Sequence, residues 1–224
     1  MSRAPARPIT YLITAGETTS ATGPDSEEFR RLLALVRAAV EARVMLVQLR
    51  EKDLSGRVLF ELASAAARMA RGSETRVLVN DRADVARAAG CDGVHLTTRS
   101  LEASVVRRAF GEEFLIGVST HTREEARVAR AGGADFAVFG PVFDTPSKRA
   151  YGPPVGLDVL KDAARELSPF PLVALGGVGE EEVEEVLRAG AAGVAGIRLF
   201  ANGQNLARIV HHIGRAYGPL ERDE

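Results

Sequence analysis

Residues 89–96 read "AGCDGVHL". A helix-like run closes at Gly90, two residues turn the chain, and a short β-rich run begins at Gly93; glycine suits the left-handed backbone that ends such helices. The junction returns twice, as "GGADFAVFG" over 132–140 and "AGAAGVAGI" over 189–197. Three copies of helix end, tight turn and strand imply a chain assembled from repeated βα units.

Working outward from these copies, eight strand candidates emerge. They are "ITYLITA" near Ile9, "VMLVQLR" from Val44, "RVLVN" from Arg76, "GVHL" from Gly93, "FLIGVS" from Phe114, "FAVFG" from Phe136, "PLVAL" from Pro171 and "GVAGI" from Gly193. Each precedes an Ala, Leu, Arg and Glu-rich stretch of helical character, starting near Ser26, Ser55, Arg82, Ser100, Thr122, Gly156, Gly179 and Asn205. Ser26 and Thr122 stand as caps before glutamates. Strands that are apolar almost throughout belong to a parallel sheet covered on both faces. Eight units in 224 residues predict an α/β fold, a single (β/α)₈ TIM barrel over residues 1–224 with no linker or composition break. A doubly wound open sheet is the alternative, weakened by the strand count and by the lack of GxGxxG after the first strand.

The charge balance narrows the partners. With 29 basic and 30 acidic residues the net charge is −1, which gives no general attraction to nucleic acid or to an anionic membrane. No apolar run approaches a membrane span, and the opening "MSRAPARPITYLITAG" lacks a signal-like apolar core, so a cytoplasmic protein is expected. Cys91 is the single cysteine, which excludes an intrachain disulfide and a cysteine-based zinc site. The four histidines, His95, His121, His211 and His212, have no HExxH spacing, and the last two fall in an amphipathic segment where a surface role is expected. Oligomeric state is not legible.

A barrel puts its chemistry in the loops after the strands, at their C-terminal face. The unusual polar clusters fall there. "QLREK" supplies Gln48, Arg50 and Lys52; "ND" supplies Asn80 and Asp81; Thr97, Thr98 and Ser100 follow "HL"; Ser119 and His121 follow the fifth strand. After the sixth comes "FGPVFDTPSKRAYGPP", whose prolines preset a loop and whose Thr145, Ser147 and Lys148 form a donor set suited to phosphate oxygens. A solvated surface loop is the plain alternative. Gly176, Gly177 and Gly179 before a helix start can expose backbone N–H groups to an anion. Arg50, Lys52 and Lys148 suit a second anion pocket, with Asp81 placing Mg²⁺ on the same oxygens.

The motifs "QLREK", "ND", "GVHL", "GVSTHT", "GPVFDTPSK" and "ALGGV", in this order, resemble the thiamine-phosphate synthase and TenI family over nearly the whole chain. The resemblance implies an enzyme joining a pyrimidine methyl pyrophosphate to a thiazole phosphate, with release of pyrophosphate. Arg50, Lys52, Asn80, Asp81 and Lys148 would hold the leaving pyrophosphate, with Mg²⁺ at Asp81. Gln48 and Ser119 would lie against the pyrimidine, and Thr145, Ser147, Gly177 and Ile197 would surround the thiazole phosphate. Two positions depart from the synthase pattern: "TTRS" stands where "GQED" is usual, so Ser100 replaces an Asp, and Arg198 follows Ile197 where a Ser is usual. Both departures resemble the TenI branch, a thiazole tautomerase in which His121 would be the general acid or base, and a silent thiazole-phosphate binder is a third alternative.

Overall fold

A computed structural model describes residues 7–144 and 153–217. Eight parallel strands close into a barrel in sequence order: β1 (Ile9–Ile13), β2 (Leu46–Leu49), β3 (Arg76–Asn80), β4 (Gly93–Leu96), β5 (Leu115–Thr120), β6 (Phe136–Phe139), β7 (Leu172–Ala174) and β8 (Gly193–Gly196). β8 pairs back onto β1 through Ile9 and Gly193, so no sheet edge is left. Among the described residues the α-helices are α1 (Glu27–Glu41), α2 (Gly56–Ala70), α3 (Ala83–Ala89), α4 (Ala103–Phe110), α5 (Arg123–Ala131), α6 (Gly156–Leu167), α7 (Val183–Arg188) and α8 (Leu206–Ala216). The predicted (β/α)₈ barrel is the observed fold. No helix among the described residues is long and apolar enough to cross a membrane.

The repeated junction has a physical basis. Gly90, Gly133 and Gly190 all adopt positive φ, 73°, 84° and 94°, and turn each helix end toward the next strand. Two copies then use an aspartate as a clamp at the N-terminal face. The Asp92 carboxylate accepts from the Val77 N–H at 2.8 Å, and Asp135 accepts from Ile116 N–H at 2.7 Å. Arg107 pairs with Asp135 at 2.8 Å and donates to the carbonyls of Gly111, Glu112, Phe114 and Gly133. Ala192 occupies the equivalent place in the third copy, where it has no carboxylate and makes backbone bonds alone, its N–H donating to the Leu172 carbonyl and its carbonyl accepting from the Ile9 N–H.

Both strand faces are apolar because both are covered. Leu12, Val47 and Val79 face the helices, whereas Tyr11, Ile13, Leu46, Leu78, Phe136 and Val138 fill the barrel. Ser26, Ser55 and Thr122 cap their helices by accepting from the N–H groups of Phe29, Val58 and Glu125.

Two helices start later than predicted. α4 begins at Ala103 rather than near Ser100, because the Ser100 hydroxyl accepts from the Thr97 N–H at 2.7 Å and holds a turn there. α7 begins at Val183 rather than Gly179, because the Glu182 carboxylate accepts from the Gly179 N–H at 2.8 Å and keeps that stretch a turn. Two short 3₁₀ segments, Arg198–Phe200 and Gly203–Asn205, precede α8 and were not anticipated.

Candidate functional site

At the C-terminal mouth, neighbouring strands bring together residues far apart in sequence. Gln48 lies one residue before the end of β2 and Asn80 ends β3, and the Gln48 Nε2 donates to Asn80 Oδ1 at 3.0 Å. Gln48 is buried and Asn80 half-buried, so the pair sits where the barrel opens. Asp81 follows with φ at 62°, a left-handed conformation that aspartate tolerates better than most residues, and its N–H donates to the His95 carbonyl. Its side chain is exposed at the rim.

"REK" divides its labour. Arg50 is half-buried and Lys52 exposed, but Glu51 between them is buried. Its carboxylate accepts from the Thr14 hydroxyl at 2.6 Å, the Thr18 hydroxyl at 2.8 Å and the N–H groups of Gly16 and Thr18. The loop after β1 is thereby folded against the loop after β2. Arg50 lies on Gly16, where a Cβ would come within 3.0 Å of the guanidinium and of the Arg50 carbonyl. Glycine there lets the two loops meet and positions the guanidinium.

On the opposite arc, the stem of the β6–α6 loop is stitched to the turn after β7. Val142 and Phe143 N–H groups donate to the carbonyls of Leu175 and Gly176, both at 2.9 Å. Past the undescribed stretch, Val155 and Gly156 N–H groups donate to the carbonyls of Pro141 and Val142. Gly177 has φ at 70°, and a Cβ on it would lie 2.6 Å from the Phe143 Cβ. The Gly177 N–H has no protein acceptor among the described residues, whereas that of Gly179 is taken by Glu182. Gly177 is therefore better placed than Gly179 to donate its N–H to an anion. Ile197 is half-buried after β8, and Arg198 is exposed with no ion pair among the described residues. Thr145, Ser147 and Lys148 lie outside the described residues.

Ser119 and His121 end β5 differently. Ser119 points into the barrel and meets His95 Nε2 at 2.9 Å. His121 is exposed; its Nδ1 donates to the Gly140 carbonyl at 2.6 Å, which ties the β5 end to the start of the β6–α6 loop. His211 and His212 are exposed on α8, as expected.

Sequence reasoning missed three interior residues. Glu51 reads as part of a solvated charge run, and His95 and Tyr11 read as further residues of apolar strands. The available signal was a polar side chain inside a strand buried on both faces. His95 is 2% and Tyr11 0% exposed. Burial drives the His95 pKa down to about 3 and raises that of Tyr11 well above its ordinary value, so both are neutral.

The family described as thiamine monophosphate synthase matches residues 18–200, from the loop after β1 to the end of the 3₁₀ segment after β8. The chain belongs to this family. It is 52% identical over 166 residues to a Geobacter sulfurreducens protein given provisionally as a thiamine-phosphate synthase, covering 74% of this chain and 78% of that one. Identity to the Chlorobium phaeovibrioides thiamine-phosphate synthase is 40% over 191 residues, 85% of each chain. A solved thiamine phosphate pyrophosphorylase from Pyrococcus furiosus superposes with a TM-score of 0.73 at 28% identity, covering 91% of this chain and 95% of that one.

Within this member of the family, the Ser100 departure is structurally self-contained. Its Oγ accepts from the Thr97 N–H and lies 3.1 Å from Thr97 Oγ1, so a serine closes the turn that a carboxylate could also close. Among the described residues, no three His, Cys, Asp or Glu side chains gather as a metal site. A divalent cation held at this rim would therefore draw much of its shell from substrate oxygens and water, which suits Mg²⁺.

Proposed function

We propose that this protein is a thiamine-phosphate synthase of thiamine biosynthesis, joining hydroxymethylpyrimidine pyrophosphate to thiazole phosphate with release of pyrophosphate. One observation carries the reading. Gln48 and Asn80 are hydrogen-bonded at the barrel mouth while Arg50, two residues on, is held against Gly16. This amide pair and guanidinium suit a polar ring carrying an anionic tail.

In this reading Arg50, Lys52, Asn80 and Lys148 bind the departing pyrophosphate, and Gln48 and Ser119 face the pyrimidine. Thr145, Ser147, Gly177, Ile197 and Arg198 receive the thiazole phosphate. Asp81 would hold Mg²⁺, which when bound neutralises charge on the phosphate oxygens. Departure leaves a pyrimidine-stabilised cation, so preorganised cations around the leaving group matter more than a strong base. His121, tied to Gly140, shapes the loop in this scheme. A tautomerase would leave Arg50, Lys52 and Asn80 without an anion to bind. The substrates are small molecules, and a cytoplasmic location belongs to the same reading.

The test mixes purified protein with both substrates and Mg²⁺ and follows thiamine phosphate by oxidation to a fluorescent product. Formation that requires both substrates supports the synthase. Absence of product from folded protein that isomerises a thiazole phosphate carboxylate instead would replace it with the tautomerase.

A further inference from the structure

Three polar side chains form a connected path inside the barrel. Tyr11 on β1 and His95 on β4 belong to strands that are not neighbours, so the Tyr11 hydroxyl reaches across the interior to lie 3.1 Å from His95 Nδ1. On the other side of the ring, His95 Nε2 lies 2.9 Å from the Ser119 Oγ, on the adjacent strand β5. The path runs from the closed middle of the barrel toward its C-terminal mouth, where Ser119 is half-buried.

The packing fixes the ring. Gly117 pairs with His95 in the sheet, and a Cβ there would lie 2.8 Å from His95 Nδ1 and 2.4 Å from the Phe136 ring. Phe136 meets Tyr11 edge to face at 5.6 Å.

Proton counting then sets the direction of both bonds. A fully buried hydroxyl must donate, and the Tyr11 Oη has no acceptor among the described residues other than His95 Nδ1. Nδ1 is therefore the acceptor. A neutral imidazole carries its one proton on the remaining nitrogen, so Nε2–H donates to the Ser119 Oγ. With that lone pair occupied, the Ser119 proton is directed elsewhere, and no protein acceptor for it stands among the described residues. A histidine in this tautomer cannot take the Ser119 proton, so the pair is not a nucleophilic dyad.

We propose that Tyr11 and His95 are positioning residues that lock Ser119 as a hydrogen-bond donor toward the substrate, so that the site selects a ring with an acceptor nitrogen at that point. The substrate part of this inference rests on the pyrimidine lying against Ser119, as in the function proposed above. The tautomer part stands without it.

The experiment therefore has two independent readouts. Nitrogen NMR of the histidines in the intact protein, with His95→Gln used to assign the His95 signals among the four histidines, reads the tautomer directly. The expected result is a bare Nδ1 and a protonated Nε2; a protonated Nδ1 would overturn the proposal whatever the enzyme does.

The second readout is selectivity. Tyr11→Phe removes one oxygen and frees the imidazole to adopt the other tautomer, which would accept the Ser119 proton. The KM for the pyrimidine pyrophosphate should rise about five- to tenfold, the size of one lost hydrogen bond, with the thiazole phosphate KM within twofold. Preference for the pyrimidine over pyridine analogues lacking one ring nitrogen should fall by the same factor. His95→Gln, whose amide nitrogen can still donate toward Ser119, should retain that preference. Unchanged preference in folded Tyr11→Phe would overturn the selectivity claim. If wild-type protein makes no product, the synthase reading fails, and the NMR result still decides the relay.

Discussion

Thr14 and Glu51 are joined by a 2.6 Å hydrogen bond from the threonine hydroxyl to the carboxylate, linking the loop after β1 to the residue between Arg50 and Lys52. The same carboxylate also serves Gly16 and Thr18. Glu51→Ala strands two hydroxyls and two N–H groups near a buried site. The expected loss is on the order of 3 kcal/mol in urea unfolding, with activity reduced even where the variant is fully folded, because Arg50 loses its support. A midpoint equal to that of the wild type would show that water replaces the carboxylate without cost.

His95 gives a prediction with a definite sign. Its folded pKa is about 3 against an ordinary 6.5, so between those values the unfolded chain binds a proton that the folded chain does not. Stability is unaffected by this group above pH 6.5 and is lost as pH falls from there toward 3, by about 1.4 kcal/mol per unit. Unfolding free energies of wild type and His95→Gln should run parallel above neutrality and converge, or cross, from pH 6 to pH 4. Curves parallel throughout would contradict a neutral buried imidazole.

The metal dependence should follow the carboxylates. Asp81→Asn is expected to raise the Mg²⁺ concentration for half-maximal turnover by at least about tenfold while leaving thermal unfolding unchanged. Ser100→Asp should lower that concentration, since an aspartate can accept the same Thr97 N–H and bring a second carboxylate to the rim. Mg²⁺ titrations of turnover for the three proteins check both, and coincident curves would remove Asp81 from the metal assignment.

Lys148→Ala should reduce turnover on the order of 10²-fold, the usual effect of deleting one preorganised donor to a leaving group, with little change in Tm. Steady-state kinetics in the pyrimidine pyrophosphate measure it. Wild-type kinetics would remove Lys148 from the leaving-group site.

The barrel was legible because its signals are local. The helix-end glycines Gly90, Gly133 and Gly190, the caps Ser26 and Thr122, and the apolar strands each announce themselves within a few residues. Facing was not legible, because Tyr11 and its neighbour Leu12 are equally buried and alternation carries no information in a sheet covered on both sides. Glu51 was hidden for a different reason. Its partners Thr14 and Thr18 are 37 and 33 residues away, so only the closed barrel reveals that a charge in "REK" is internal. Gly179 misled in the opposite direction, because Glu182 consumes the N–H that its sequence context offers to an anion.

The most direct measurement of the central claim is the stoichiometry of the reaction. Pyrophosphate and thiamine phosphate should appear in a one-to-one ratio, only with both substrates present, and both should stop on chelation of Mg²⁺. Pyrophosphate released without thiazole phosphate, or no thiamine phosphate from folded protein, would contradict a synthase.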